Sequence, residues 1–138
     1  MIRAALTSDR AAVVALWSAC GLVRPWNDAD RDFTLALVTA TSTVLVASDD
    51  DGTIVGSVMA GFDGHRGWVY YLAVAPAARR TGLGRLLMGA GEDWLRGQGA
   101  PKLQLMVCDG NEEALAFYAA LGLERQPVVT LGRFLEAK

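Results

Sequence analysis

The sequence predicts one α/β domain in which a mixed, mostly antiparallel twisted sheet is flanked by helices. Three observations predict it. Apolar residues recur at helical spacing in four segments, around residues 12–17, 33–37, 83–94 and 112–121. Between the second and third segments the pattern changes to short runs rich in valine, threonine and tyrosine, separated by Asp- and Gly-rich turns. The chain of 138 residues also suits a single domain with one core.

The elements follow in order. Thr7, Ser8 and Asp9 offer N-caps for a first helix carrying Ala12, Val13, Leu16 and Trp17, and Gly21 ends it. The loop Leu22–Asp28 leads to a second helix, capped by Asp28 or Asp30 and running to about Ala40, with Phe33, Ala36 and Leu37 inward. Thr43–Ser48 reads as a strand, Asp49–Gly52 as a hairpin turn and Thr53–Phe62 as the returning strand. Asp63–Gly67 is a second turn before the strand Trp68–Val74, which Pro76 closes. A third helix, Gly82–Arg96, has the stripe Leu83, Leu86, Leu87, Ala90 and Trp94, and is stopped by Gly97 and Gly99. Lys102–Cys108 reads as a strand. Asn111 caps a last helix that Gly122 ends, and Pro127–Phe134 reads as one or two short strands. The expected order is α-α-β-β-β-α-β-α-β in a single domain, residues 1–138, without repeat or linker.

Composition narrows the function. The chain is 52% hydrophobic and carries a net charge of -2, so no overall basic character points to nucleic acid. No apolar run approaches the roughly 18 residues of a membrane span, and MIRAALTSDR lacks the apolar core of a signal peptide. Cys20 and Cys108 are far apart, which argues against a disulfide framework or a zinc site. A soluble protein of the reducing cytoplasm is expected, with no metal, nucleic-acid or membrane partner. Asp49–Asp51 lacks the rest of a calcium loop and reads as a solvated turn.

The segment Leu72–Arg85 is the most informative. A strand ends, a loop carries Arg79 and Arg80, and a helix opens on Gly82-Leu83-Gly84-Arg85. Helix N-termini present unpaired N–H groups and partial positive charge, and glycine lets the backbone approach an anion closely. The spacing Arg79-x-x-Gly82-x-Gly84 therefore suits a pyrophosphate, although neither a Walker loop nor a dinucleotide fingerprint is present.

Arg79–Gly84, following a strand that ends in Leu-x-Val and a proline, resembles motif A of the GNAT superfamily of N-acetyltransferases. Asn111–Leu123, with Asn at its start and Phe117-Tyr118 before Leu-Gly-Leu, is similar to motif B. The element order matches as well, and the resemblance covers essentially the whole chain. Leu22–Asp28 and Gly61–Gly67 further resemble the YpeA-like bacterial acetyltransferases.

The resemblance implies acetyl-CoA as cosubstrate and transfer of its acetyl group to an amine, small-molecule or peptide, by direct attack in a ternary complex. Backbone N–H groups from Arg80 through Arg85, Thr81 included, would hold the pyrophosphate, with Arg79, Arg80 and Arg85 adding charge. The strand Leu72-Ala73-Val74 would be bulged and splayed from its neighbour, pairing with the pantetheine. An N–H near Leu72 or Ala73 would polarise the thioester carbonyl. Asn111 would contact the cofactor or fix its helix. Tyr118 would sit near the sulfur as the general acid, a role its ordinary pKa of about 10 suits. Arg24, Trp26, Asn27 and Asp28 would wall the acceptor site, or the acids Asp28, Asp30 and Asp32 would attract a cationic amine, unless Trp26 plugs the core and Asp28 caps a helix. His65 is a base or positioning residue in a turn. Of Tyr70 and Tyr71, strand alternation lets only one face the cleft, and Tyr70 is assigned to the acceptor. A homodimer is open, and so is an acetyl-CoA-binding sensor without turnover.

Overall fold

The computed structural model describes residues 1–136. They form two compact units, Met1–Met106 and the residues from Val107 onward.

The first unit holds a five-stranded sheet in the order β1-β2-β3-β4-β5. Its strands are β1 (Ile2–Ala4), β2 (Ser42–Ser48), β3 (Ile54–Phe62), β4 (Gly67–Val74) and β5 (Leu103–Leu105). The first four pair antiparallel, and β5 joins β4 in parallel. A parallel neighbour needs a crossover, and the helix α3 (Leu83–Gly97) supplies it. Two further helices, α1 (Arg10–Ala19) and α2 (Ala29–Val38), lie between β1 and β2 in the chain. Asp28 caps α2, its Oδ1 accepting from Arg31 N–H at 3.1 Å.

Strand alternation divides the sheet into two faces. Gly56, Val58, Gly67 and Val69 lie under α3. A Cβ on Gly56 would stand 2.8 Å from Leu87 Cδ1, and one on Gly67 2.9 Å from Leu95 Cδ1. Gly91 of α3 faces Val58 and Val69 in turn. On the other face Val13, Leu16 and Trp17 of α1 and Ala29, Phe33 and Ala36 of α2 pack with Val44, Val46 and Ala73.

Four features depart from the sequence reading. β1 is additional; three residues are too few to show a period, and its pairing with Leu45–Ala47 alone makes it a strand. The buried stripe of α3 is Leu87, Met88, Gly91 and Leu95, whereas Leu86 is 61% exposed. The stripe is turned towards the sheet glycines, because Leu87 and Leu95 pack onto Gly56 and Gly67. The strand expected over Lys102–Cys108 is cut to Leu103–Leu105, because its register with β4 ends at Val69↔Leu105. Finally, no strand forms over 127–134, where Val128, Val129 and Leu131 are exposed. A β-prone composition becomes a strand only when a sheet edge pairs with it.

The second unit contains α4 (Glu112–Ala120). Asn111 Oδ1 caps it by accepting from Ala114 N–H at 3.1 Å. Gly122, at φ 90°, ends it in the left-handed region.

Candidate active site

The site begins with an irregularity in β4. Ser57 pairs with Ala73 and Met59 with Tyr70, so Val58 opposes both Tyr71 and Leu72. This is a β-bulge. Tyr71 adopts φ 52°, left-handed for a residue with a full side chain. Its ring stacks on Trp17 of α1 at 3.8 Å, and its hydroxyl donates to Asp32 Oδ2 of α2 at 2.6 Å. Tyr70, paired with Met59, points to that same face. The expectation that Tyr70 and Tyr71 must diverge is thus corrected. The left-handed turn at Tyr71 breaks the alternation that a regular strand imposes.

Burial, then the Asp32 hydrogen bond and the charges of Asp32 and Asp28, push the Tyr71 phenol well above its ordinary range. It stays a proton donor at neutral pH. Tyr70 is 42% exposed beside Trp68, ring centroids 6.4 Å apart, and its phenol is pushed up by burial and by Asp63.

Beyond the bulge, β4 has an open side. Its pairing with β5 covers only Gly67–Val69. The backbone of Tyr70–Val74 therefore runs free of that ladder, towards the turn at Pro76–Ala78 and the start of α3.

The entrance to α3 is built from backbone. Gly82 is its N-cap at φ 83°, with no side-chain cap, and Arg80 is also left-handed at φ 63°. Leu86 N–H donates to Gly82 O, the first helical bond, so the N–H groups of Leu83, Gly84 and Arg85 are left over. The Thr81 hydroxyl turns away, donating to Ala78 O at 2.6 Å. Arg79 Nε donates back to Val74 O at 3.2 Å, while Arg80 and Arg85 are exposed. The result is a run of backbone donors at a helix N-terminus with arginines beside it.

The acetyltransferase (GNAT) family model matches residues 10–123 and so runs through both units. The chain belongs to the GNAT family. A relative from Yersinia pestis (strain Pestoides F), described as an acetyltransferase, is 42% identical over 134 residues, covering 97% of this chain and 94% of its own. Among solved structures, the aminoglycoside N-acetyltransferase AAC(6')-Iy, in complex with a bisubstrate analogue, superposes with a TM-score of 0.83 at 18% identity, covering 97% of each chain. A ribosomal-protein-alanine N-acetyltransferase from Brucella melitensis biovar Abortus 2308 gives 0.77 at 21% identity, over 97% of this chain and 99% of that one. These two likenesses speak to the fold. Family and homologue together make the protein an acyltransferase.

Within this GNAT chain the expected acceptor residues divide. Tyr70 shares the face of the bulge. His65 lies in the exposed turn before Gly67, beyond the far end of β4 from Tyr71, about 13 Å of strand away. Its backbone N–H, with that of Arg66, donates to Asp63 Oδ1, and Trp68 Nε1 donates to Asp63 Oδ2. The Arg24 guanidinium donates to Gly21 O and Val23 O, closing the loop after α1. Asn27 N–H donates to Arg24 O in the same loop, and Trp26 is 53% exposed rather than plugged into the core.

Tyr118 and Asn111 belong to the second unit. Tyr118 is half-buried and meets Phe117 edge-to-face at 5.1 Å, and burial pushes its phenol up. Among the described residues no group of three His, Cys, Asp or Glu side chains could hold a metal, and no helix is long and apolar enough to cross a membrane.

Sequence reasoning missed Trp17 and Ser57 as site residues, and it placed Asp32 at the acceptor site as an acid for a cationic amine, without its bond to Tyr71. One signal was available: Ser57 is a lone hydroxyl in the middle of an apolar strand.

Proposed function

We propose that this GNAT protein transfers an acetyl group from acetyl-CoA to a primary amine by direct attack in a ternary complex. The observation that carries the reading is the continuity of the open β4 edge, Tyr70–Val74, with the uncapped entrance of α3. The cosubstrate fits this frame. An extended pantetheine amide chain suits an unpaired strand edge. A pyrophosphate suits the leftover N–H groups of Leu83, Gly84 and Arg85, because open space surrounds the place a Cβ on Gly82 would take. The CoA-bound structure of AAC(6')-Iy supports the assignment.

When bound, acetyl-CoA supplies an activated thioester. The chain does the rest. The bulge turns the backbone N–H of Leu72 or Ala73 towards the acyl carbonyl, where a fixed donor counts most as negative charge develops. Tyr118 donates a proton to the leaving sulfur; its raised pKa keeps the phenol protonated at neutral pH. Asn111 acts by fixing α4. The backbone N–H groups of Arg80 and Thr81 and the charges of Arg79, Arg80 and Arg85 complete the phosphate cradle, and Tyr70 with the Arg24–Asn27 loop flanks the acceptor. The placement among YpeA-like enzymes rests on Leu22–Asp28 and Gly61–Gly67. Two free cysteines, Cys20 and Cys108, agree with a reducing cytoplasm. The exposed apolar tail, Val128, Val129 and Leu131, supports a homodimer.

Free-thiol release from acetyl-CoA across a panel of amines tests the reading. Acceptor-dependent release establishes it and identifies the acceptor class. Acetyl-CoA binding without release from any amine would favour a sensor, and absence of binding would refute the site.

A further inference from the structure

Ser57 is the only buried polar side chain among the described residues, at 0% exposure. A buried hydroxyl is unfavourable unless its bonding capacity is met. Here it is met by two other elements. Ser57 Oγ accepts from Trp17 Nε1 at 2.9 Å and donates to the Tyr71 carbonyl at 3.3 Å. Trp17 is itself fully buried.

Tyr71 is therefore gripped three times, by β3 at its carbonyl, by α1 at its ring and by α2 at its hydroxyl. A left-handed conformation is unfavourable for a residue with a Cβ, and such strain persists only where the surroundings over-determine it. Nothing in the chemistry of a tyrosine favours φ 52°; the three grips do.

We propose that Ser57, Trp17 and Asp32 are positioning residues that lock Tyr71 in its left-handed turn and so aim the bulged backbone of β4 at the acyl carbonyl. The inference rests on the acetyltransferase reading above, in which that backbone supplies the carbonyl's donor. The three side chains act through residue 71. Without them, Tyr71 relaxes towards extended geometry, the bulge slips along β4, and the donor turns away from its target. Preorganised donors lose most of their value when displaced by an ångström.

The test uses Ser57→Ala, Asp32→Ala and Asp32→Asn in the full chain, with two readouts. The first is the carbon chemical shifts of Tyr71 in labelled protein without ligand, which report the sign of φ. The second is steady-state kinetics with calorimetric CoA binding. In Ser57→Ala and Asp32→Ala the Tyr71 shifts should move towards extended values. Turnover should fall about tenfold to a hundredfold, with CoA affinity within about twofold of the native protein. Asp32→Asn keeps an acceptor for the Tyr71 hydroxyl and should recover most of the loss. Left-handed shifts retained in both alanine variants, undiminished turnover, an equal loss of CoA affinity, or an asparagine variant as impaired as the alanine would each overturn the proposal. Ser57→Ala strands the Trp17 Nε1–H; if it does not fold, the Asp32 pair decides alone. If the native protein turns over no amine, the acetyltransferase reading fails by itself, and the shifts still decide whether these residues set the conformation of Tyr71.

Discussion

Trp17 and Tyr71 lie face to face, ring centroids 3.8 Å apart and planes within 9° of parallel. The pair joins the interior of α1 to the strained residue of β4. Phe33 meets Trp17 edge-on from α2 at 6.3 Å, so one indole unites three elements.

Trp17→Ala should destabilise the first unit by about 3–5 kcal/mol, the range for removing a large buried aromatic. It also leaves Ser57 without its donor. Trp17→Phe, which keeps a ring for Tyr71 to stack on, should cost markedly less. Urea denaturation followed by circular dichroism measures both, and equal losses would contradict the stacking account.

The Arg3–Asp9 pair ties β1 to the turn before α1, with Arg3 Nη1 2.7 Å from Asp9 Oδ2. Asp9 also accepts from Leu6 N–H at 2.7 Å. The Arg3 hydrogen bond, aided by that of Leu6, holds the Asp9 carboxyl below the ordinary carboxylate range against the cost of burial. A depressed folded-state pKa adds stability above the unfolded value, about 3.9, and loses it as pH falls through the folded value. Asp9→Asn should therefore be less stable than the native chain at pH 7, with the gap closing under acid. A gap that persists unchanged to pH 2 would assign the effect to packing.

Gly82→Asp should abolish acetyl-CoA binding, since it sets negative charge at the helix entrance where an anion is to sit. Gly82→Ala should bind weakly or normally but cost about 1–2 kcal/mol of stability, because φ 83° disfavours a Cβ while open space would accommodate its volume. Calorimetry and thermal melts separate the two effects. Gly84→Asp should repeat the loss of binding. Undiminished binding in either aspartate variant would move the phosphate site elsewhere.

Tyr118→Phe should lower kcat roughly tenfold to a thousandfold and change acetyl-CoA affinity little, as loss of a transition-state proton donor does. The phenol is raised by burial, so the native enzyme should keep its donor beyond the ordinary tyrosine pKa of about 10. A fall of kcat at high pH that is present in the native protein and absent from Tyr118→Phe would identify the group. A loss confined to affinity would remove Tyr118 from the chemistry.

Much of this was legible in the sequence because it depends on local patterns. The caps at Asp28 and Asn111, the turn at Asp49–Gly52, the meander of β2–β4 and the glycine-opened start of α3 all lie within a few residues of their own signals. The family followed from two such motifs, Arg79–Gly84 and Asn111–Leu123, which run together in one chain.

The tertiary structure decided what depends on distant partners. β1 exists because β2 lies beside it, while the β-prone tail at 127–134 forms no strand. The face of α3 is set by Leu87 and Leu95 packing onto Gly56 and Gly67 of the sheet, a fit no hydrophobicity pattern records. The same holds at the site. Sequence alternation sends Tyr70 and Tyr71 to opposite faces, and only Ser57, Trp17 and Asp32, drawn from three elements, hold Tyr71 in the conformation that defeats it. A bulge is a choice of register between strands, and register is fixed by the sum of contacts across the fold rather than by the residues that bend.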